Sequence, residues 1–557
     1  MYNEFGLILS DIFIEKSDKI MSDIQVLGAF IDCSRNAVLT VEAMKRFFDI
    51  LKKLGYNEAM LYTEDTFEVD GEPEFGYMRG RYTKDELKEI VAYGENLGIE
   101  VVPAINGLAH MNQLFQWIKY YNCRDTGDIL LIDRDETYDL LDKMIKSLRE
   151  CYNSKKINIG FDEAMLMGCG RYMRLNGIVT DRQALFKRHL EKVNNIANKY
   201  GFESIIDSDM LIGFVNNELY YTKNKNIVTE EVASIVPENV TLNYWSYDQP
   251  KEIDEAMFKN HDSFNRKITF MAGSQSWLNS TAQNLYSINS YKDSIGIAKK
   301  HGVTDFYLGF FGDDGGESDY FAFLPTLTRF ADLCLDRGSL KDTKKRFLDT
   351  FGIDFDDYCK LDLPSCVTKG SELQFTFSDK YFLYNDPFMG VFDTLLSDNE
   401  YETKYYRSAS RKLSKMVNNP DYGYIFATSK ALCDVLTYKA VLGKHTREAY
   451  AAKDKEKLKD VVKEYNTVLK KLKIYANLYR IEWLKNKKPM GGEVQDIRHG
   501  GLINRIEVCK NRLIDYIEGR VDSIYELDTP LEPDANLAYK RARWSKIVTT
   551  NLLQQVL

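Results

Sequence analysis

From residue 25 onward the chain alternates helical patterns with short apolar runs. The helical stretches close on glycine: "FFDILKKLGYNEAMLYT" at Gly55, "LKEIVAYGENLGIEVVPAI" at Gly98, "HLEKVNNIANKYGFESII" at Gly201 and "YKDSIGIAKKHGVTDFYLGF" at Gly302. Glycine past the last helical turn takes the left-handed conformation that ends a helix. A short apolar run straight after it reads as a strand of a buried parallel sheet. Such runs occur at about 26–32, 57–62, 99–105, 156–161, 203–207, 240–246, 268–273 and 304–310. Eight βα units in about 300 residues predict an α/β fold of the (β/α)8 TIM-barrel type. A doubly wound open sheet is disfavoured, because no G-x-G-x-x-G follows the first run. After about residue 336 the strand rhythm stops. From about 401 to 525 helical patterns dominate, and "LKDVVKEYNTVLKKLKIYANLYRIEWLKN" repeats apolar positions three and four apart. The expected organisation is a short N-terminal segment (1–24), a barrel (25–335) and a mostly helical C-terminal domain (336–557). The aromatic-rich "YANLYRIEW" is expected to be core or interface.

A barrel of this kind keeps its chemistry where strands end and βα loops begin. That rule turns the strand pattern into candidate residues. They are Asp32 and Arg35 in "FIDCSRNA", Glu64 and Asp65 in "LYTEDTFE", His110 in "NGLAHM", and Asp162–Glu163 in "INIGFDEAML". The later strands add Asp207 and Asp209 in "DSDM", Trp245 and Tyr247 in "NYWSYD", Trp277 in "AGSQSWLN", and Asp313, Asp314 and Glu317 in "GFFGDDGGES". Carboxylates, an arginine and indole faces on one rim suit a carbohydrate. The tetrapeptide Asp-Glu-Ala-Met occurs twice, at Asp162–Met165 and Asp254–Met257. The first copy follows a β-like run and falls on the rim. The second follows "DQPKEI" and places its acids in the first turn of a helix, where they favour its positive end, so it reads as structural.

Charge and cysteine usage narrow the classes. A net charge of −9 without a basic stripe argues against nucleic acid as a partner. No run of 18 or more apolar residues exists, so no membrane span is expected, and the N-terminus lacks the basic start and cleavage site of a signal peptide. Nine cysteines without CxxC spacing fit free thiols and a cytoplasmic location. Only His110 of six histidines falls on the rim, which disfavours a metal-dependent hydrolase; no metal and no cofactor are expected.

Five stretches, "FIDCSRNAVL", "LYTEDTFEVDGEPEFGYMRGRYT", "NGLAHM", "INIGFDEAMLMGCGRY" and "GDDGGES", together resemble glycoside hydrolase family 20. The resemblance is to its cytoplasmic exo-β-N-acetylhexosaminidases of Gram-positive bacteria, and it extends to "DIRHGGLINRIEVCKNRL". It implies substrate-assisted retaining hydrolysis, in which the sugar's 2-acetamido oxygen attacks the anomeric carbon and forms an oxazolinium intermediate. By the same resemblance, Asp162 orients the acetamido group and Glu163 is the acid and then the base. Because neighbouring strand residues point to opposite faces, the strand must break at Asp162 for both to enter one pocket. Arg35, Asp313 and Glu317 would grip the terminal sugar's hydroxyls. Tyr247 would donate to the acetamido carbonyl, Trp245 and Trp277 would wall the pocket, and His110 and Asp209 would line or support it. Asp32, Glu64 and Asp65 fall behind these. The implied partner is an oligosaccharide ending in GlcNAc or GalNAc.

The chain departs from the family where Asp207, Gln275 and Phe311 stand in place of aromatic residues, which points to a wider or more polar pocket for the terminal sugar. A related exo-β-glycosidase with altered sugar specificity, or a non-catalytic carbohydrate-binding barrel, are therefore the alternatives. The small α/β domain that family members carry ahead of the barrel is here reduced to about 24 residues. The expectation for them is either a remnant covering the barrel bottom or part of a homodimer contact.

Overall fold

The computed structural model describes residues 24–367, 378–397 and 400–532. Most of the N-terminal segment (1–23) and the last part of the expected C-terminal domain (533–557) therefore lie outside the described residues. Eight parallel strands close into a barrel in sequence order. They are β1 (Val26–Asp32), β2 (Glu58–Tyr62), β3 (Glu100–Ala104), β4 (Lys156–Asn158), β5 (Glu203–Asp207), β6 (Thr241–Trp245), β7 (Ile268–Gly273) and β8 (Asp305–Phe310). Closure is made by β1 against β8, with Val26 opposite Asp305 and Ile31 opposite Phe310. All eight expected runs form strands. The fourth is the one that differs, ending at Asn158 rather than at about 161.

Helices on the outside end as their glycines dictate. Gly55, Gly98, Gly201 and Gly302 have φ of 97°, 71°, 75° and 76°. Thr40 caps the first helix, Val41–Leu54, by accepting from the Ala43 N–H, and Thr83 with Glu86 forms a reciprocal capping box on Lys84–Asn96. The apolar faces of these helices and the outer faces of the strands form one continuous core. The barrel interior holds a separate cluster that includes Phe30, Met60, Tyr62, Met271 and Tyr307. Gly28 makes room for it, since a Cβ there would collide with the Tyr307 ring. Tyr307 donates to Glu58 at 2.7 Å. Glu58 pairs with Lys156, so the interior ends in a satisfied polar layer.

Beyond the barrel, three long helices, Gly423–Ala451, Lys455–Asn486 and Gly492–Ile517, pack on one another. Tyr475, Tyr479 and Trp483, from the aromatic-rich stretch, are buried. These helices seat on the rim side of the barrel. Lys487 donates to the carbonyls of Gly316 and Ser318 at 2.5 and 3.2 Å, and Tyr479 donates to the Glu317 carbonyl at 2.9 Å. The loop after β8 is thereby held from both sides, because the barrel contributes Asp32, which accepts from the Gly312 N–H at 2.9 Å.

Candidate active site

The early end of β4 shapes the site. After Asn158 the backbone turns left-handed at Gly160 (φ 68°), Phe161 (φ 80°) and Glu163 (φ 52°). Positive φ costs a non-glycine residue of order 1–3 kcal/mol and persists where the surroundings enforce it. Here it breaks strand alternation, so Asp162 and Glu163 both face one cavity of about 250 Å³ at the strands' C-terminal ends. The same cavity is lined by Arg35, His110 and Asp313 and by the rings of Trp245, Tyr247 and Trp277.

Arg35 is fixed by two acids, Glu64 at 2.9 Å and Asp313 at 3.2 Å. Glu64 is buried and also accepts from the Tyr62 hydroxyl at 3.0 Å. Asp32 accepts from the Ser34 N–H and hydroxyl, and Asp65 is held by Arg79, so both are turned away from the cavity. Trp245 stacks on Tyr247 with ring centroids 5.1 Å apart and planes 13° from parallel. Trp277 and Phe311 close on the Tyr247 ring at 5.1 and 5.8 Å. Gln275 donates to the Tyr247 carbonyl at 2.7 Å, which holds that ring's backbone in place.

The surroundings shift the two adjacent acids in opposite directions. Burial works to raise the Asp162 carboxyl, but the His110 imidazolium, 3.1 Å away, outweighs it and holds Asp162 below the usual carboxylate range. Burial works to lower His110, yet the charge of Asp162 carries it up to about 10, so it is a cation at neutral pH. Glu163 is pushed up by partial burial and then by the negative charge of Asp162. A charged Asp beside a Glu whose carboxyl is shifted upward is the division of labour that acid catalysis by neighbouring carboxyls needs.

Eight of the ten residues expected at the site share this cavity. Asp209 does not line it. It is buried, and its Oδ2 accepts from the Glu163 N–H at 2.9 Å, which pins the backbone of the acid. Glu317 is not brought to the cavity either. It is buried between Lys380 at 2.8 Å and Arg498 at 2.5 Å, and the same two cations hold Asp314 at 2.7 and 3.1 Å. Burial would raise the Glu317 carboxyl, but these cations take it down to about 2. The cavity also holds residues the strand-end rule did not single out, among them Tyr62, Asn106, Asn158 and Met271. Met271 lies inside β7, where only inward alternation could have marked it, and Asn158 ends β4 about three residues before the end expected from the sequence. Asn106 was visible as the polar residue just after β3. No group of three or more metal-ligating side chains occurs among the described residues.

Fold and site together define a closed parallel (β/α)8 barrel with an adjacent acid pair facing a cavity at the strands' carboxyl ends. Residues 58–301 match the glycosyl hydrolase family 20 catalytic domain, and residues 356–542 match the glycoside hydrolase 20C C-terminal domain. The chain belongs to glycoside hydrolase family 20. Among curated relatives it is similar to Hexosaminidase D of Homo sapiens, 25% identical over 138 residues that make up 24% of this chain and 28% of the relative. It is also similar to Lacto-N-biosidase of Bifidobacterium bifidum, 23% identical over 272 residues, 46% of this chain and 22% of the relative. The chain thus spans less than half the length of the curated relatives it matches. Among solved structures, the GH20 β-N-acetylhexosaminidase from Streptomyces coelicolor A3(2) overlays at TM-score 0.44 and 19% identity, covering 59% of this chain and 69% of that one. Flavobacterium johnsoniae chitobiase overlays at TM-score 0.46 and 13% identity, covering 82% and 78%. No helix among the described residues is long and apolar enough to cross a membrane.

Proposed function

We propose that the chain is an exo-acting β-N-acetylhexosaminidase, removing terminal GlcNAc or GalNAc from oligosaccharides by the substrate-assisted retaining route. The observation that carries this reading is the adjacent pair itself: Asp162 held as a carboxylate by His110, next to Glu163 held toward its protonated form. Glu163 protonates the glycosidic oxygen as the sugar's own acetamido oxygen attacks the anomeric carbon. Asp162 orients the amide N–H and balances the positive charge that develops on it, a role that requires a permanent negative charge. Tyr247 donates to the acetamido carbonyl. Glu163, now ionised, takes a proton from the water that opens the oxazolinium ring, which returns the anomeric configuration of the substrate. Arg35, braced by Glu64 and Asp313, presents its fork of donors to the ring hydroxyls. Asp209 acts by keeping the Glu163 peptide in place, and Glu317 by anchoring the loop that carries Asp313. A second cavity of about 300 Å³ shares Arg35, His110, Glu163 and Asp313 and adds Asn112, Gln113 and Asp128. It is the place for the leaving sugar. The reading includes action in a reducing compartment, in keeping with nine free cysteines, eight of them not exposed.

The test is a comparison of 4-nitrophenyl β-GlcNAc, β-GalNAc and unacetylated β-glucoside. Turnover confined to the acetamido sugars, with inhibition by a thiazoline mimic of the intermediate, is the expected outcome. Turnover of the plain glucoside would replace this reading with that of an exo-β-glycosidase of altered specificity.

A further inference from the structure

Arg35 and Asp313 meet at 3.2 Å from two different loops, the first after β1 and the second after β8. Both loops are held from outside the barrel. The segment that joins helices Lys455–Asn486 and Gly492–Ile517 runs along the first. Thr40 N–H donates to the Asn486 carbonyl at 2.9 Å, Lys488 N–H donates to the Val38 carbonyl at 2.7 Å, and Leu39 pairs with Lys487 in an antiparallel bridge. Gly491 comes so close that a Cβ on it would strike the Asn36 carbonyl. The second loop is entered by Arg498 of helix Gly492–Ile517. Its Nη1 donates to the Asp314 carbonyl at 2.7 Å and to Glu317 Oε1 at 2.5 Å, and its Nη2 donates to Asp314 Oδ1 at 3.1 Å. Lys380 of helix Ser378–Tyr384 is buried and takes the remaining oxygens, Asp314 Oδ2 at 2.7 Å and Glu317 Oε2 at 2.8 Å.

Asp313 sits between two fixed neighbours. Gly312 N–H is bonded to Asp32, and Asp314 N–H donates to the Trp277 carbonyl at 3.0 Å, so the clamp on Asp314 also bears on the backbone of the Trp277 wall. Gly315, with φ of 95°, lets Arg498 in, since a Cβ there would lie 3.2 Å from its Nη1. The Asp313 side chain itself is 36% exposed, and an ion pair that open to water does little to hold its own geometry. Its placement is inherited from the flanking backbone, which the helical domain bonds. We propose that Arg498 is a positioning residue for sugar recognition: by fixing Asp314 and Glu317 it brings Asp313 and Arg35 to one sugar hydroxyl together, and it makes the helical domain part of the grip on the terminal sugar. This rests on the hexosaminidase reading given above. Arg498 acts through the loop and does not touch the sugar.

The test variant is Arg498→Lys, which keeps the buried charge and loses the fork that bonds three oxygens. With the full chain, kcat and KM are measured for 4-nitrophenyl β-GlcNAc and for its 3-deoxy and 4-deoxy analogues. In the unaltered protein, loss of a hydroxyl bound by the charged pair lowers kcat/KM by about 10–100-fold. In Arg498→Lys the parent substrate is expected to lose about tenfold, mostly in KM, and the deoxy analogue that lacks the gripped hydroxyl less than about threefold, so the preference for the hydroxyl shrinks. That ratio is read within one preparation and is independent of the folded fraction. Should the lysine variant not fold, Asp314→Asn loosens the same clamp from the loop side and is read by the same ratio. An equal loss on parent and deoxy substrates, or an unaltered protein indifferent to both hydroxyls, overturns the proposal and leaves the hexosaminidase reading in place. An unaltered protein that does not turn over the parent substrate overturns both.

Discussion

The two Asp-Glu-Ala-Met copies put the same four residues into opposite circumstances. Asp254, in the helix Lys251–Asp262, is fully buried and accepts from three hydroxyls: Tyr244 at 2.7 Å, Ser246 at 2.8 Å and Ser294 at 2.5 Å. Those donors come from β6, its loop and the following helix, so the residue ties three elements together. Its neighbour Glu255 points to solvent with Lys251 at 3.9 Å. Asp162 faces a cavity with one imidazolium for a partner, and its neighbour Glu163 pairs with no lysine or arginine among the described residues, the His110 nitrogen lying 3.7 Å away. The acids around Glu317 make the same contrast from another direction, since two carboxylates meet two cations there and the charges cancel. Buried acids that are fully partnered serve packing. Acids that are left short of partners, at the mouth of a cavity, are free to act on a ligand.

Exchanging partners should break that contrast, and the largest effect is expected at Asp162. Asp162→Asn removes the charge that balances the developing cation, and kcat for a GlcNAc glycoside should fall by roughly 10²–10³-fold, with a lowered unfolding midpoint at neutral pH because the His110 imidazolium loses its partner. His110→Gln sharpens the same point through pH. Without the imidazolium, Asp162 loses what holds its carboxyl low, so the acid limb of the kcat/KM profile should move to higher pH, while the alkaline limb, set by loss of the Glu163 proton, stays nearer its place. In the intact protein His110 titrates at about 10 against an ordinary 6.5. Its ion pair with Asp162 therefore contributes stability that is full below pH 6.5 and lost as the pH rises toward 10, which urea titrations at pH 6 and 10 would read. Asp254→Leu should reverse the pattern. Three buried hydroxyls lose their acceptor, stability should drop by about 1–3 kcal/mol, and kcat per folded molecule should hold. Glu255→Ala is expected to change stability by no more than about 0.5 kcal/mol and to leave activity alone.

Much of this was legible in the sequence, for physical reasons that also mark where legibility ends. The eight strands were readable because a parallel strand buried on both faces must be apolar along its length, and because helix ends demand glycine. The rim followed from the strand ends. Side-chain direction did not. Glu317 lies four residues beyond Asp313, but Gly315 and Gly316 (φ 95° and 63°) turn the loop between them. The cations that capture Glu317, Lys380 and Arg498, come from distant helices that no local pattern connects to it. Asp209 sits on the rim by sequence, yet its carboxylate turns toward the Glu163 peptide rather than the cavity. The second tetrapeptide was readable as a helix start, whereas the three hydroxyls around Asp254 depend on tertiary packing. The strand break was expected at Asp162 and falls earlier, because the glycine and the strained Phe161 that make the turn precede the acids.

The central claim is that Glu163 carries the proton to the leaving group while its neighbour stays charged. The measurement that reaches it most directly is kcat/KM of Glu163→Gln on two β-GlcNAc substrates, one with an alkyl or sugar leaving group and one with a 2,4-dinitrophenyl group. The account predicts a loss of about 10²–10⁴-fold on the first, which needs protonation to depart, and a loss at least tenfold smaller on the second, which does not. Equal losses on both would contradict it.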